Sequence, residues 1–215
     1  MADPTSSGEA RDPRGEQPAR HWEQLYASGR EHVSWYEEVP TLSIELLLSD
    51  GVPDHVIDVG AGASTLPDAL LDAGVDHVTL LDLSMGALAL TAVRLDERGN
   101  RVTTIVADVL THFFDEQYDA WHDRAVFHFL VEDEQRSAYV SQVRAALRPG
   151  GLLVVGTFAL DGPDSSSGLP VSRYDADALA VEFGDGFTRV DTRRAEHHTP
   201  RDSIQPFTWV VLRKD

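Results

Sequence analysis

The run Asp58-Val59-Gly60-Ala61-Gly62-Ala63-Ser64 carries the architecture of this chain. Before it, His55-Val56-Ile57-Asp58-Val59 has the length and apolar content of a buried strand. After it, Ser64 or Thr65 opens a helical pattern with Pro67 in its first turn, where a missing N–H does no harm. A strand that passes through a glycine turn into a helix lets the backbone approach a ligand closely, and the helix start favours negative charge.

The theme recurs on both sides. Residues 77–81 predict a second strand, and the helix after Asp82 has its expected apolar face at Met85, Leu88, Ala89, Ala92 and Val93. Residues 102–107 and 118–122 predict a third and a fourth strand. A helix over 133–147, with Tyr139, Val140, Val143 and Leu147 on one face, stops at Arg148-Pro149-Gly150-Gly151, and a fifth strand follows over 152–158. Strands alternating with helices imply parallel pairing through right-handed crossovers. The last part breaks the rhythm: a helix near 175–183 precedes two runs, 187–196 and 204–213, with only a turn between them, which predicts an antiparallel hairpin. The expected fold is therefore α/β, a Rossmann-like doubly wound sheet, mostly parallel, with an antiparallel strand in a C-terminal hairpin.

The chain has 215 residues, and 36 acidic against 18 basic side chains give a net charge of −18 at pH 7. Such a field repels nucleic acid and anionic membranes, and the basic residues do not cluster to overcome it. Cysteine is absent, which excludes disulfides, thiolate metal sites and a thiol nucleophile. No run approaches the ~20 apolar residues of a membrane span, and residues 1–20 lack the apolar centre of a secretory signal, so a cytoplasmic location is expected. Residues 1–20 contain too little apolar surface to offset the entropy of ordering and are expected to form a disordered tail. Residues 21–215 are expected to form a single domain, with an aromatic cap over 21–50 that includes Trp22, Tyr26, Trp35 and Tyr36.

The chemistry starts from two acids. Asp58 puts a carboxylate on an otherwise apolar strand, where an unpaired charge is costly. Asp82 follows Gly62 by 20 residues at the end of the second strand, where an acid can take two ribose hydroxyls. These features suit a nicotinamide dinucleotide and S-adenosylmethionine alike. The third glycine of the dinucleotide fingerprint, three residues after Gly62, is missing, which weakens the pyrophosphate reading, whereas Asp58 offers a carboxylate to an ammonium group.

Taken with Leu81-Asp82-Leu83-Ser84, Val106-Ala107-Asp108-Val109, Tyr118-Asp119-Ala120-Trp121-His122-Asp123 and Leu147-Arg148-Pro149-Gly150-Gly151, the run resembles the class I S-adenosylmethionine-dependent methyltransferases over roughly residues 22–213. His21-Trp22-Glu23-Gln24-Leu25-Tyr26, Val33-Ser34-Trp35-Tyr36 and the segment from Trp121 to His128 are most similar to bacterial members akin to the thiopurine and lysine methyltransferase branches. The resemblance implies a sheet of about seven strands with one reversed. It further implies that Asp58, Gly60 and Gly62 hold the methionine end of S-adenosylmethionine, that Asp82 binds the ribose, and that Asp108 with the Val109 backbone contacts the adenine; Ala61 and Leu83 beside them, Trp22 and Tyr26 of the aromatic cap, and His122 at its strand end are further candidate cofactor contacts. The product would be S-adenosylhomocysteine, and no metal is required.

Methyl transfer asks the protein for alignment, exclusion of water and, for a protic nucleophile, removal of a proton. His122, at the carboxyl end of the fourth strand, is the first candidate base, against the alternative that it only packs on the cofactor; Asp123 is placed beside it. Trp35, Tyr36, Arg124, His128 and Arg173 are candidate substrate contacts, and the flexible loop 161–172 is a candidate lid. Glu196-His197-His198 makes a poor chelate, because neighbours on a strand face opposite ways. A small-molecule N, O or S acceptor is favoured, a protein lysine acceptor is the alternative, and a non-catalytic nucleotide-binding module is the third reading. The acceptor's identity and the oligomeric state are not legible in the sequence.

Overall fold

The structure, a computed structural model, describes residues 13–26, 33–200 and 202–215. Helix α1 (Pro13–Tyr26) and helix α2 (Thr41–Leu47) precede strand β1 (His55–Val59). There follow α3 (Leu66–Asp72), β2 (His77–Asp82), α4 (Met85–Leu95), β3 (Val102–Val106), β4 (Tyr118–Arg124), α5 (Asp133–Ala146) and β5 (Leu147–Phe158). A two-residue hairpin, β6 (Ser165–Ser166) and β7 (Leu169–Pro170), then leads to α6 (Ala176–Phe183) and the final pair β8 (Phe187–His198) and β9 (Ile204–Lys214).

The seven main strands form one sheet in the order β3-β2-β1-β4-β5-β9-β8. Pairing is parallel from β3 to β5; β9 runs antiparallel to both β5 and β8. The chain order reverses between β1 and β4, and at such a switch point the carboxyl ends of the strands open a crevice for ligands. The expected mixed, doubly wound sheet is thus the observed one.

Alternation along the strands divides the core into two layers. Val56 and Ala120 join Leu46 and Leu47 of α2 and Leu66 and Leu70 of α3 on one face. Ile57, Val59 and Trp121 join Tyr139 and Val143 of α5 and Leu179 and Phe183 of α6 on the other. Asp58 and His122, in register on β1 and β4, share the parity of Val56 and Ala120; Asp123 takes the opposite face. That parity decides which helices each polar group meets.

Three expectations are corrected. Residues 13–20 of the expected tail are helical, while residues 1–12 lie outside the described residues. The docked C-terminal end, with Trp22 and Tyr26, lets cooperative helix formation run back along the chain. In α4 the buried residues are Ala87, Leu88, Thr91 and Leu95, whereas Met85 and Val93 are exposed. The helix has apolar residues on more than one side, and its rotation is set by polar pairs: Thr91 Oγ1 donates to the Gly62 carbonyl at 3.3 Å, and Arg94 Nε reaches both oxygens of Asp68 at 3.1 and 3.0 Å. The loop over 161–172 contains the β6–β7 hairpin and is tied to the body by the Ser172 N–H, which donates to the His128 carbonyl at 2.8 Å. Residues 27–32 of the expected aromatic cap lie outside the described residues.

Candidate active site

Two adjoining spaces occupy the crevice. The smaller, about 50 Å³, is lined by Ala61, Ala63, Asp58, His122, Ser43, Tyr36 and Glu37; the wider, about 330 Å³, by Trp22, Leu81, Asp82, Leu83, Asp108, Val109, His128, Phe129, Phe158 and Phe207 among others. Tyr26, Trp35, Gly60 and Arg124 border both. Trp35 Nε1 donates to the Tyr26 hydroxyl at 3.1 Å, and Trp22 packs edge-on against Trp35 and Phe129. The aromatic residues of the N-terminal region therefore form a wall over the strand ends.

In the small chamber Asp58 Oδ1 pairs with His122 Nδ1 at 2.7 Å, and His122 Nε2 lies 2.9 Å from Ser43 Oγ. All three side chains are buried. Burying the Asp58 carboxylate requires a partner, and His122, one strand away in register, supplies it. Both ring nitrogens of His122, the expected base, are already engaged. Ser43 enters from α2, nearly eighty residues away, and no sequence signal marked it.

The glycine turn has a mechanical reason for its composition. Gly60 and Gly62 adopt φ of +67° and +52°. A Cβ on Gly60 would lie 2.1 Å from Val126 Cγ2, and one on Gly62 would lie 2.0 Å from the Tyr26 hydroxyl. The turn is stitched to β2: the Gly60 N–H donates to the Leu81 carbonyl at 2.7 Å and the Gly62 N–H to Asp82 Oδ2 at 2.8 Å. Gly62 lines neither space; it holds Asp82 in place and carries Tyr26. Ser64 Oγ accepts from the Leu66 N–H at 3.0 Å, so this serine helps close the helix start.

Asp82 Oδ1 also accepts the Ser84 N–H at 2.7 Å, and burial, opposed by these hydrogen bonds, pushes its pKa up to about 6. Asp108 Oδ1 closes a turn by accepting the Leu110 N–H at 2.9 Å. Glu23 of α1, which the sequence did not single out, accepts from Ser84 Oγ at 2.6 Å and from the Gly86 N–H at 3.1 Å, and so pins α1 over the start of α4.

Arg124 donates to the Trp35 carbonyl at 2.8 Å and to Glu37 Oε1 at 2.9 Å, with its guanidinium 5.5 Å from the Phe207 ring centroid. His197 Nδ1 lies 3.1 Å from the same Glu37 oxygen, and its Nε2 donates to the Ser34 carbonyl at 2.7 Å. Burial raises the pKa of Glu37, but the His197 hydrogen bond and the Arg124 charge outweigh it and leave the carboxyl below its usual range. His197 is buried and His198 exposed, as strand alternation requires.

Besides Gly62, two expected site residues lie outside both spaces. Asp123 lines neither space: on the opposite face of β4 from His122, it accepts the Val126 N–H at 2.8 Å, the Phe127 N–H at 3.0 Å and the Tyr139 hydroxyl at 2.5 Å. The same alternation that parts His197 from His198 parts His122 from Asp123. Arg173 is exposed and donates to the Gly162 carbonyl at 3.0 Å, bracing the loop rather than entering the cavity. His128, by contrast, is fully buried and borders the wide cavity.

Residues 56–151 match a family model described as a methyltransferase domain. No curated protein sequence matches the chain. Among solved structures, the 1,6-didemethyltoxoflavin N1-methyltransferase of Burkholderia thailandensis, bound to 1,6-didemethyltoxoflavin and S-adenosylhomocysteine, is 23% identical; the match covers 97% of this chain and 93% of that one, with a TM-score of 0.73. The N-methyltransferase NodS of Bradyrhizobium japonicum WM9, in complex with S-adenosylhomocysteine, is 16% identical, with 90% and 98% covered and a TM-score of 0.70. The [4+2]-cyclase SpnF is likewise 16% identical, with 93% and 96% covered and a TM-score of 0.68. At these identities the likeness is one of fold.

Proposed function

Given that the chain carries a class I S-adenosylmethionine-dependent methyltransferase domain, we propose that it transfers a methyl group to a small molecule held in the wide cavity. The observation that supports this most is that one continuous space of about 330 Å³ joins the strand-end acids Asp82 and Asp108 to an aromatic compartment under Trp22, Phe129, Phe158 and Phe207. A cofactor and a compact acceptor need such a joined space, and concave, mostly apolar walls with a few placed polar groups are what small ligands bind to. The two neighbours described as N-methyltransferases favour the same reading.

The residues present suit the expected cofactor. Asp82 offers a carboxylate with both oxygens already oriented by backbone N–H groups, Leu83 and Val109 offer apolar walls, and Gly60 borders both spaces. Asp58 faces the small chamber, and His122 with Ser43 fixes its orientation; in this reading His122 is a positioning residue for the carboxylate rather than the base. When bound, the cofactor supplies a methyl group on a sulfonium, which is itself a good leaving group. The chain's part is to align the acceptor and exclude water, tasks that fall to Tyr26, Trp22 and Trp35 on one side and to Arg124 and His128 on the other.

Titration calorimetry with S-adenosylhomocysteine tests the premise: binding at micromolar affinity or tighter is expected, and Asp82→Ala should weaken it by ~1–3 kcal/mol through the lost hydrogen bonds. Absence of binding would refute the enzyme reading. Methyl transfer from labelled cofactor into a cell extract tests the acceptor class. Label in the small-molecule fraction is the expected result; label confined to protein would favour the lysine alternative. That the [4+2]-cyclase SpnF shares this fold is the reason for requiring transfer as well as binding.

A further inference from the structure

His128 has an imbalance that the methyltransferase reading does not yet use. Its Nδ1 accepts the Phe158 N–H at 3.4 Å, which places the ring hydrogen on Nε2. Among the described residues that buried Nε2 has no hydrogen-bond partner, although the residue borders the wide cavity. Buried polar groups are almost always paired, so an orphaned N–H on a ring that borders a cavity, itself shielded from solvent, is a donor that a ligand atom satisfies once the ring turns toward it. Burial, with the charge of Arg124 as a second cause, pushes the ring pKa down to about 3, so the imidazole stays neutral and offers a donor.

The surroundings define what that atom belongs to. Phe129 and Phe158 flank the imidazole at centroid distances of 4.5 and 4.6 Å, and Phe207 continues the apolar wall. Arg124 is already matched by Glu37. The carboxylates that border this cavity, Asp82 and Asp108, follow β2 and β3, across β1 and β4 from the compartment that β5 and β9 wall. An ammonium would find no carboxylate at the His128 end.

We propose that this compartment recognises a flat aromatic molecule through a ring carbonyl or phenolic oxygen that accepts the Nε2–H of His128, which names the acceptor class for the small-molecule methyltransferase reading on which it rests. A lysine side chain does not fit this description.

The test uses protein saturated with S-adenosylhomocysteine and two probes, 4-quinolone, which presents a ring carbonyl, and 1-naphthylmethylamine, which presents an ammonium. The quinolone is expected to bind at least tenfold more tightly. In ¹⁵N-histidine spectra of the wild type, the His128 Nε2–H resonance should shift as it binds. His128→Leu should lose fivefold or more in quinolone affinity with cofactor affinity unchanged, and His128→Gln, which keeps a donor in place, should recover most of it. Quinolone binding no tighter than the ammonium, absence of binding by either, or a His128→Leu variant with undiminished quinolone affinity would overturn the inference. Failure of S-adenosylhomocysteine to bind the wild type would instead bring down the methyltransferase reading beneath it.

Discussion

Gly62 shows how much can rest on the absence of one carbon. Its φ of +52° is a region that L side chains avoid, and the Tyr26 hydroxyl occupies the space a Cβ would need. Gly62→Ala should therefore displace Tyr26, disturb the Gly62 N–H bond to Asp82, and cost about 1–3 kcal/mol of stability together with at least tenfold in S-adenosylhomocysteine affinity. Urea unfolding and calorimetry on the same preparation would show both losses, and unchanged values would mean that Tyr26 does not cover the turn. Gly60 is excluded from carrying a side chain by a different neighbour, Val126. Two glycines of one motif thus serve two contacts, one to the N-terminal aromatic wall and one to the turn after β4.

At the scale of an element, β4 separates its work by face. His122 turns to α2 and holds Asp58; Asp123 turns to α5 and gathers the N–H groups of Val126 and Phe127 around a turn in which Ala125 adopts φ +71°. Burial pushes the Asp123 carboxyl up to about 6, only partly opposed by the Tyr139 and backbone hydrogen bonds. A carboxyl raised in the folded state holds a proton at pH values where the unfolded chain has released it. Its contribution to stability is therefore greatest at low pH and is lost as pH rises through 6. Wild type should gain about 2 kcal/mol relative to Asp123→Asn between pH 7 and pH 4.5, measured by urea unfolding of both proteins at each pH, since comparison with the non-titrating variant removes other groups from the difference. A constant difference would show that the carboxyl is not shifted.

Over the whole molecule, the charge of −18 leaves acids that no basic partner matches. The surface ion pairs that do form, such as Arg194 with Asp161 and Arg189 with Asp177, are exposed and contribute little. Net self-repulsion should dominate, so raising sodium chloride from 20 to 300 mM should raise the melting temperature by a few degrees. A fall would mean that the ion pairs outweigh the repulsion. The same sequence determined the layered α/β sheet, because strand length, helical spacing and turn residues are local properties that tertiary packing had no reason to override. It also marked Asp58, Asp82 and Asp108, since each follows or ends a strand. What only the tertiary structure decided is which groups meet: Ser43 with His122, Glu37 with Arg124 and His197, Glu23 with Ser84, and the unpaired His128 nitrogen beside the cavity. Those partners lie tens to more than a hundred residues apart, and a hydrogen bond across that separation leaves no periodicity or spacing along the chain to reveal it.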